Sequence, residues 1–262
     1  MTCTNSASGF LPQEPEVWDV HAHIGTMSFC TSRSSAAEDI VAYMERMNFK
    51  KTFISSLGAI GDDFKRGNDD VLHAVLKYPD KLFGYVTVNP NYPDGTIREI
   101  ERLRENKNIV GIKIHPAHSG VAVNAKSLYE VYEYANERHS LVLVHTWSEA
   151  DILGMREIAE KYPEIRLIMA HAGAYEGVRL AAEVIGAYDN VYCDFPVGSA
   201  KYGVVEYLVK HGGSDKIFFG TDSTLFDHRI TYGRLLFSDI KEEDKIKIFS
   251  LNIKRVFKEV RL

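Results

Sequence analysis

The stretch DVHAH, residues 19–23, sets two imidazoles one residue apart at the end of an apolar run. In a strand, side chains two apart share a face, so His21 and His23 would point the same way. Two neutral ring nitrogens held side by side suit a borderline divalent ion such as zinc. Taken alone the pair is ambiguous, since an exposed turn can carry the same spacing. Other apolar runs, however, end on residues of similar chemistry: Lys113 and His115 in GIKIHP, His145 in LVLVHT, His171 in RLIMAHAG and Asp222 in FFGTDS. Five of the ten histidines therefore close apolar runs, while His73, His118, His139, His211 and His228 fall on helical segments or loops. If the runs that end on His21 and His23, on His145, on His171 and on Asp222 are strands converging on one opening, four imidazoles and a carboxylate gather there. Without a metal, such a buried polar cluster would be costly and would need other partners.

The elements that must position these residues are short. Candidate strands are EVWDVHAH (16–23), KTFISSL (51–57), LFGYVTV (82–88) and IVGIKIH (109–115), followed by LVLVHT (141–146), IRLIMAH (165–171), NVYCDF (190–195) and KIFFGTD (216–222). Their β-branched and aromatic content suits buried parallel strands. Parity puts His21 and His23 inside and Trp18, Val20 and Ala22 against the helices. It also carries His145 inward with Leu141 and Leu143, His171 with Leu167 and Met169, and Asp222 with Phe218 and Gly220. Between the runs lie amphipathic segments, such as SLYEVYEYANERH with Leu128, Val131, Tyr132 and Ala135 on one face. Ser127 with Glu130, and Ser35 with Glu38, have the spacing of capping boxes. A helix after each strand returns the chain to the same end and makes the strands parallel. Eight such units predict an α/β fold, a single closed (β/α)8 TIM barrel with its chemistry at the C-terminal strand ends. An open doubly wound sheet is the alternative.

Composition narrows the function. The chain has 262 residues, 45% hydrophobic and 26% charged, with a net charge of -5. That balance gives no basic footprint for nucleic acid or for a membrane surface. No apolar run approaches the length of a membrane span. The start, MTCTNSASGFLPQEPE, lacks the pattern of a secretory signal and reads as a loose arm over 1–15 ahead of one domain over 16–262. Cys3, Cys30 and Cys193 are scattered and odd in number, which predicts no disulfide framework and a cytoplasmic setting. Cys193 reads as a small buried hydrophobe. The expected partner is a small-molecule substrate, and a homodimer stays open.

The ordered set DVHAH, GIKIHP, VHTW, MAHAG and GTDS resembles the amidohydrolase superfamily over nearly the whole chain. The likeness is to the amidohydrolase-2 branch of metal-dependent TIM-barrel hydrolases, which also holds decarboxylases of the aminocarboxymuconate semialdehyde type. The resemblance implies His21, His23, His145 and Asp222 as ligands of one divalent metal, zinc by preference, with His171 a catalytic residue beside it. In two-metal members the second ion would involve His171 and a carboxylated lysine, for which Lys113 is the counterpart. The implied chemistry is hydrolysis of a small ester, lactone or amide by a water that the metal activates, with Asp222 taking its proton. Decarboxylation of a small unsaturated or aromatic acid is the alternative, and a catalytically silent metabolite-binding barrel is the third reading. His115, Lys113, Trp147 and Tyr175 are the expected substrate contacts. Asp19 is the expected partner that fixes a ligand's tautomer.

Overall fold

Seven of the eight predicted runs form strands, and all pair in parallel. In the computed structural model of the chain they are β1 (Val17–Ile24), β2 (Phe49–Ser56), β3 (Leu82–Thr87), β4 (Ile109–Ile114), β5 (Leu141–His145), β6 (Arg166–Ala170) and β7 (Val191–Cys193), in sheet order β1-β2-β3-β4-β5-β6-β7. The structure describes residues 15–27, 35–61, 63–174, 176–196, 201–258, 260 and 262. The predicted N-terminal arm therefore lies outside the described residues up to position 14, as do Cys3, Cys30 and Tyr175.

The connections are helical. They are α1 (Ala37–Arg46), α2 (Leu57–Gly61), α3 (Phe64–Lys77), α4 (Pro93–Leu103), α5 (Pro116–Ser119), α6 (Tyr129–Glu137), α7 (Glu149–Lys161), α8 (Val178–Ala187) and α9 (Val204–Gly212). Three more, α10 (His228–Leu236), α11 (Glu242–Ile246) and α12 (Asn252–Phe257), complete the chain. Leu128, Val131, Tyr132 and Ala135 are buried as their spacing predicted. The predicted caps are displaced. Asp39, not Glu38, accepts the reciprocal bond, from the main-chain N–H of Ala36 at 3.1 Å. Ser127 lies within a 3-10 turn, Lys126–Leu128, and caps nothing. No helix of the described residues is long and apolar enough to cross a membrane.

Burial explains the curl of the sheet. One apolar layer, including Ile54, Val86, Ile112, Val142 and Leu167, packs between strands and helices. A second cluster takes the opposite parity: Val20, Phe53, Phe83, Tyr85, Val110, Leu141, Leu143, Ile168, Tyr192 and Phe218 meet one another and Ile253 and Val256 of α12. A sheet with both faces this apolar must be covered on both, and here it covers one face by curling on itself.

The eighth run does not form a regular strand. Residues 217–223 touch both sheet edges through isolated parallel bridges, Cys193↔Ile217 at β7 and Ala22↔Ser223 at β1. Two features interrupt the ladder. The Thr221 N–H donates to the Asp19 carboxylate at 3.0 Å rather than to a strand carbonyl. Asp222 has φ 57, left-handed backbone that no strand contains.

Parity fails at two strands. In β1 the pairing runs Asp19↔Thr52 and then Ala22↔Ile54, so one extra residue is accommodated between them. Val20 accordingly joins the inner cluster while Ala22 faces the helices, and Asp19 and His21 do not share a face. In β6, Leu167 and Met169 face the helices and Ile168 and Ala170 face inward, the reverse of the expectation. His171 still turns inward because β6 ends at Ala170 and the next residues leave the strand, with φ 69 at His171 and φ 47 at Ala172.

Candidate metal centre and cavity

His21 and His23 lie near the C-terminal end of β1, and each has its Nδ1 held from behind. His21 Nδ1 is 2.9 Å from Asp194 Oδ2. A carboxylate can only accept, so Nδ1 carries the proton and Nε2 is left with its lone pair. His23 Nδ1 is 2.9 Å from Ser55 Oγ of β2. Both Nε2 atoms converge on Asp222 Oδ1, at 3.5 Å from His21 and 2.8 Å from His23. These three side chains offer donor atoms within 4.8 Å of one another, the one such group of three among the described residues. His171 stands beside them, its Nε2 3.8 Å from Asp222 Oδ2 and its ring 5.1 Å from that of His21.

Lys113, on β4, is fully buried and points at the same place, with Nζ 3.2 Å from His21 Nε2. The lone pair that would meet a cation meets an ammonium here. Burial lowers the Lys113 ammonium to about 8, against the pull of Asp222 and Asp194. Burial also pushes the Asp194 carboxyl up to about 6. For Asp222 burial acts upward too, but the surrounding imidazoles of His21, His23 and His171 outweigh it and hold the carboxyl well below the usual range. Four imidazoles of the cavity region, those of His21, His115, His145 and His171, are driven down. Burial lowers His171 to about 4, and burial with the nearby Lys113 lowers His115 to about 2. His21 and His145 are lowered as well, by burial first. The rings of His21, His115, His145 and His171 are thus neutral at physiological pH, the form that can ligate a metal.

His145, implied as a ligand by the sequence resemblance, is not in the three-residue group. Its ring stacks between His115, at 4.0 Å and 13°, and Trp147, at 5.4 Å and 4°, and meets His171 edge-on at 4.8 Å. His115, His145 and Trp147, stacked as one column, line a cavity of about 360 Å³. Met27, Leu57, Ile60, Leu225 and Phe226 supply apolar lining, and Lys113, His23, His171 and Asp222 supply the polar part. Of the expected substrate contacts, His115, Lys113 and Trp147 line this cavity.

One expectation needs correcting. Asp19 reaches no imidazole; its carboxylate bonds the main-chain N–H of His21 and both polar groups of Thr221. The partner that sets a ring's tautomer is Asp194, which the sequence reading passed over in favour of its neighbour Cys193. The signal was present: Asp194 is the penultimate residue of a predicted strand, in step with the inward Tyr192. Cys193 is buried, as expected. Gly220 makes room for this acid, since a Cβ there would lie 2.7 Å from Asp194 Oδ2.

The profile of the amidohydrolase family matches residues 18–258. Solved structures with the same architecture are distant in sequence. The chain superposes on 2,6-dihydroxybenzoate decarboxylase from Rhizobium with TM-score 0.77 and 14% identity, covering 93% of this chain and 99% of that one. A dihydroxybenzoic acid decarboxylase from Polaromonas, solved with manganese and 2-nitroresorcinol, gives TM-score 0.77 and 16% identity over 93% and 97%. For 5-carboxyvanillate decarboxylase from Sphingomonas paucimobilis the values are 0.71 and 13%, over 93% and 99%.

Proposed function

The chain belongs to the amidohydrolase family, and on that premise we propose that it is a metal-dependent enzyme catalysing non-oxidative decarboxylation of a small aromatic or unsaturated acid. One observation carries the reading: the His21, His23 and Asp222 donor set adjoins a cavity lined by the stacked rings of His115, His145 and Trp147 and by apolar side chains. The similarity in fold to decarboxylases supports it. We read the curled sheet with its bridged eighth run as a (β/α)8-type barrel whose working mouth is this end.

The donor set fits a divalent ion. Two imidazoles are oriented through Nδ1, and a carboxylate held anionic lies between their Nε2 atoms. We propose His21, His23 and Asp222 as ligands, with His145 a fourth donor on the sequence resemblance alone. Manganese and zinc both suit nitrogen and carboxylate donors. Such an ion supplies Lewis-acid polarisation of a carboxylate or carbonyl and stabilises developing negative charge.

The chain's own groups account for the rest. Lys113 offers the buried counter-charge for the substrate's carboxylate or an adjacent oxyanion. Trp147, the half-exposed end of the ring stack, takes the flat face of an aromatic or conjugated acid by offset stacking, and Met27, Leu57, Ile60, Leu225 and Phe226 exclude water. In the reaction the bonding pair between carbon and carboxylate stays on the carbon, which takes a proton as carbon dioxide leaves. Asp222 and His171, 3.8 Å apart, are the pair placed to hold and pass that proton.

Hydrolysis of an ester, lactone or amide is the second reading, favoured by the same pair, which would equally serve a water's proton. The manganese- and zinc-loaded proteins should be given hydroxybenzoates, enoic acids, esters, lactones and amides in ¹⁸O-labelled water. Carbon dioxide release with no label in the organic product is expected. Turnover of esters, lactones or amides with label incorporation, and no carbon dioxide from any acid, would overturn decarboxylation.

A further inference from the structure

Asp19 is a fully buried carboxylate that none of the steps above uses. The extra residue in β1 turns it away from the cavity and toward α1, where Tyr43 Oη donates to Oδ2 at 3.4 Å. Its main bonds run elsewhere. Oδ1 accepts the N–H of His21 at 3.1 Å and the N–H of Thr221 at 3.0 Å. Oδ2 accepts the Thr221 hydroxyl at 2.5 Å, and that hydroxyl accepts the Ser223 N–H at 3.2 Å.

These contacts bracket Asp222. Its own N–H bonds His21 O at 2.6 Å, and the N–H of His23 bonds Ser223 O. Asp222 is held at φ 57 in a segment without a continuous ladder, a conformation that persists only when its surroundings over-determine it. Asp19 fixes the residue before Asp222 directly and the residue after it through Thr221, and it holds the main chain of His21 through Oδ1.

We propose that Asp19 is a positioning residue: its carboxylate clips His21 of β1 to the 221–223 turn and so sets the spacing of the His21–His23–Asp222 donors. This rests on the reading of those three residues as metal ligands. A carboxylate that only filled space would leave the geometry at the ligands unchanged when replaced by its amide. The clip needs both oxygens as acceptors, and an amide supplies one.

The test uses the full chain with Co²⁺ as the probe, monitored by its visible absorption bands and by titration, alongside thermal melts of the metal-free proteins. Asp19→Asn and Thr221→Val should each weaken Co²⁺ binding about tenfold or more, as loss of a ligand's supporting bonds does. Each should also shift the bands at saturating Co²⁺, which a merely structural role would not do. Because both act through one contact, the double variant should bind within about twofold of the weaker single variant. A folded Asp19→Asn with wild-type affinity and bands would overturn the clip, as would losses that simply multiply in the double variant. If Asp19→Asn does not fold, Thr221→Val carries the test, and wild-type behaviour there overturns the proposal. A wild-type chain that takes up no Co²⁺ would bring down the ligand reading and this inference together.

Discussion

Replacing Asp194 with asparagine should separate metal affinity from stability. The carboxylate serves two donors, His21 Nδ1 at 2.9 Å and the main-chain N–H of His171 at 2.7 Å. The amide has one oxygen. The main-chain N–H cannot turn away, so the oxygen stays with His171 and the NH₂ faces His21. Nδ1 must then accept, and the ring proton moves to Nε2, the atom directed at Asp222. Binding a cation would force that proton back and set two donors against each other, a mismatch of about 1–3 kcal/mol. The expected cost is a metal affinity about 10- to 100-fold weaker. The metal-free protein should lose little: the Lys113 Nζ contact at His21 Nε2, 3.2 Å, is given up, but a buried carboxyl whose pKa burial raises to about 6 is itself held at a cost at neutral pH. Competition with a chromophoric chelator, for both Mn²⁺ and Zn²⁺, gives the affinity, and a thermal melt at pH 7 gives the stability. An affinity within about twofold of wild type in a folded variant would refute the tautomer argument. A collapse of Tm in step with the affinity would show that Asp194 acts through the fold.

Other consequences are as direct. Lys113→Met should lower kcat/KM for acids about 100-fold by removing the buried counter-charge, and should leave the Tm at or above wild type; an unchanged kcat/KM refutes its role. Trp147→Ala should raise KM about five- to tenfold with little change in kcat, since stacking on a half-exposed ring contributes about 1 kcal/mol; steady-state kinetics decides. Phe53→Ala, in the inner aromatic cluster with Phe83, Tyr85 and Phe257, should cost about 3–5 kcal/mol by urea unfolding. Burial lowers His228, stacked on Tyr43 at 4.1 Å, to about 4. Its folded pKa is below the unfolded value, so its effect is absent above about 6.5 and stability falls as pH drops from there through 4. His228→Phe keeps the stack and should recover on the order of 1 kcal/mol at pH 4, after allowance for the ring's exposed edge; urea melts at pH 7 and pH 4 measure it.

What could be read in the residues was what alternation and run length control. The apolar runs and their order placed seven parallel strands, and the HxH pair with a late aspartate identified side chains that the fold brings within 4.8 Å. Alternation failed where the backbone leaves the regular strand. No composition signal marks the extra residue between Asp19 and Ala22, so Asp19 was assigned to the cavity face although it points to α1. His171 was placed inward by a parity that β6 reverses, and the left-handed backbone at His171 restored the outcome. The eighth run looks like a strand by composition, but Thr221 gives its N–H to a side chain, a long-range bond that local pattern does not carry. Asp194 was missed because its role depends on a ring 173 residues away in sequence. His145 ends the expected strand, but its stacking between His115 and Trp147 depends on two loops that alternation does not describe.

The central claim is most directly tested by anomalous scattering from crystals of the manganese- or zinc-loaded protein, collected on both sides of the metal's absorption edge. The account predicts a peak bonded to Nε2 of His21, Nε2 of His23 and a carboxylate oxygen of Asp222. A loaded protein whose ion sits elsewhere, with Lys113 Nζ still against His21 Nε2, would contradict it.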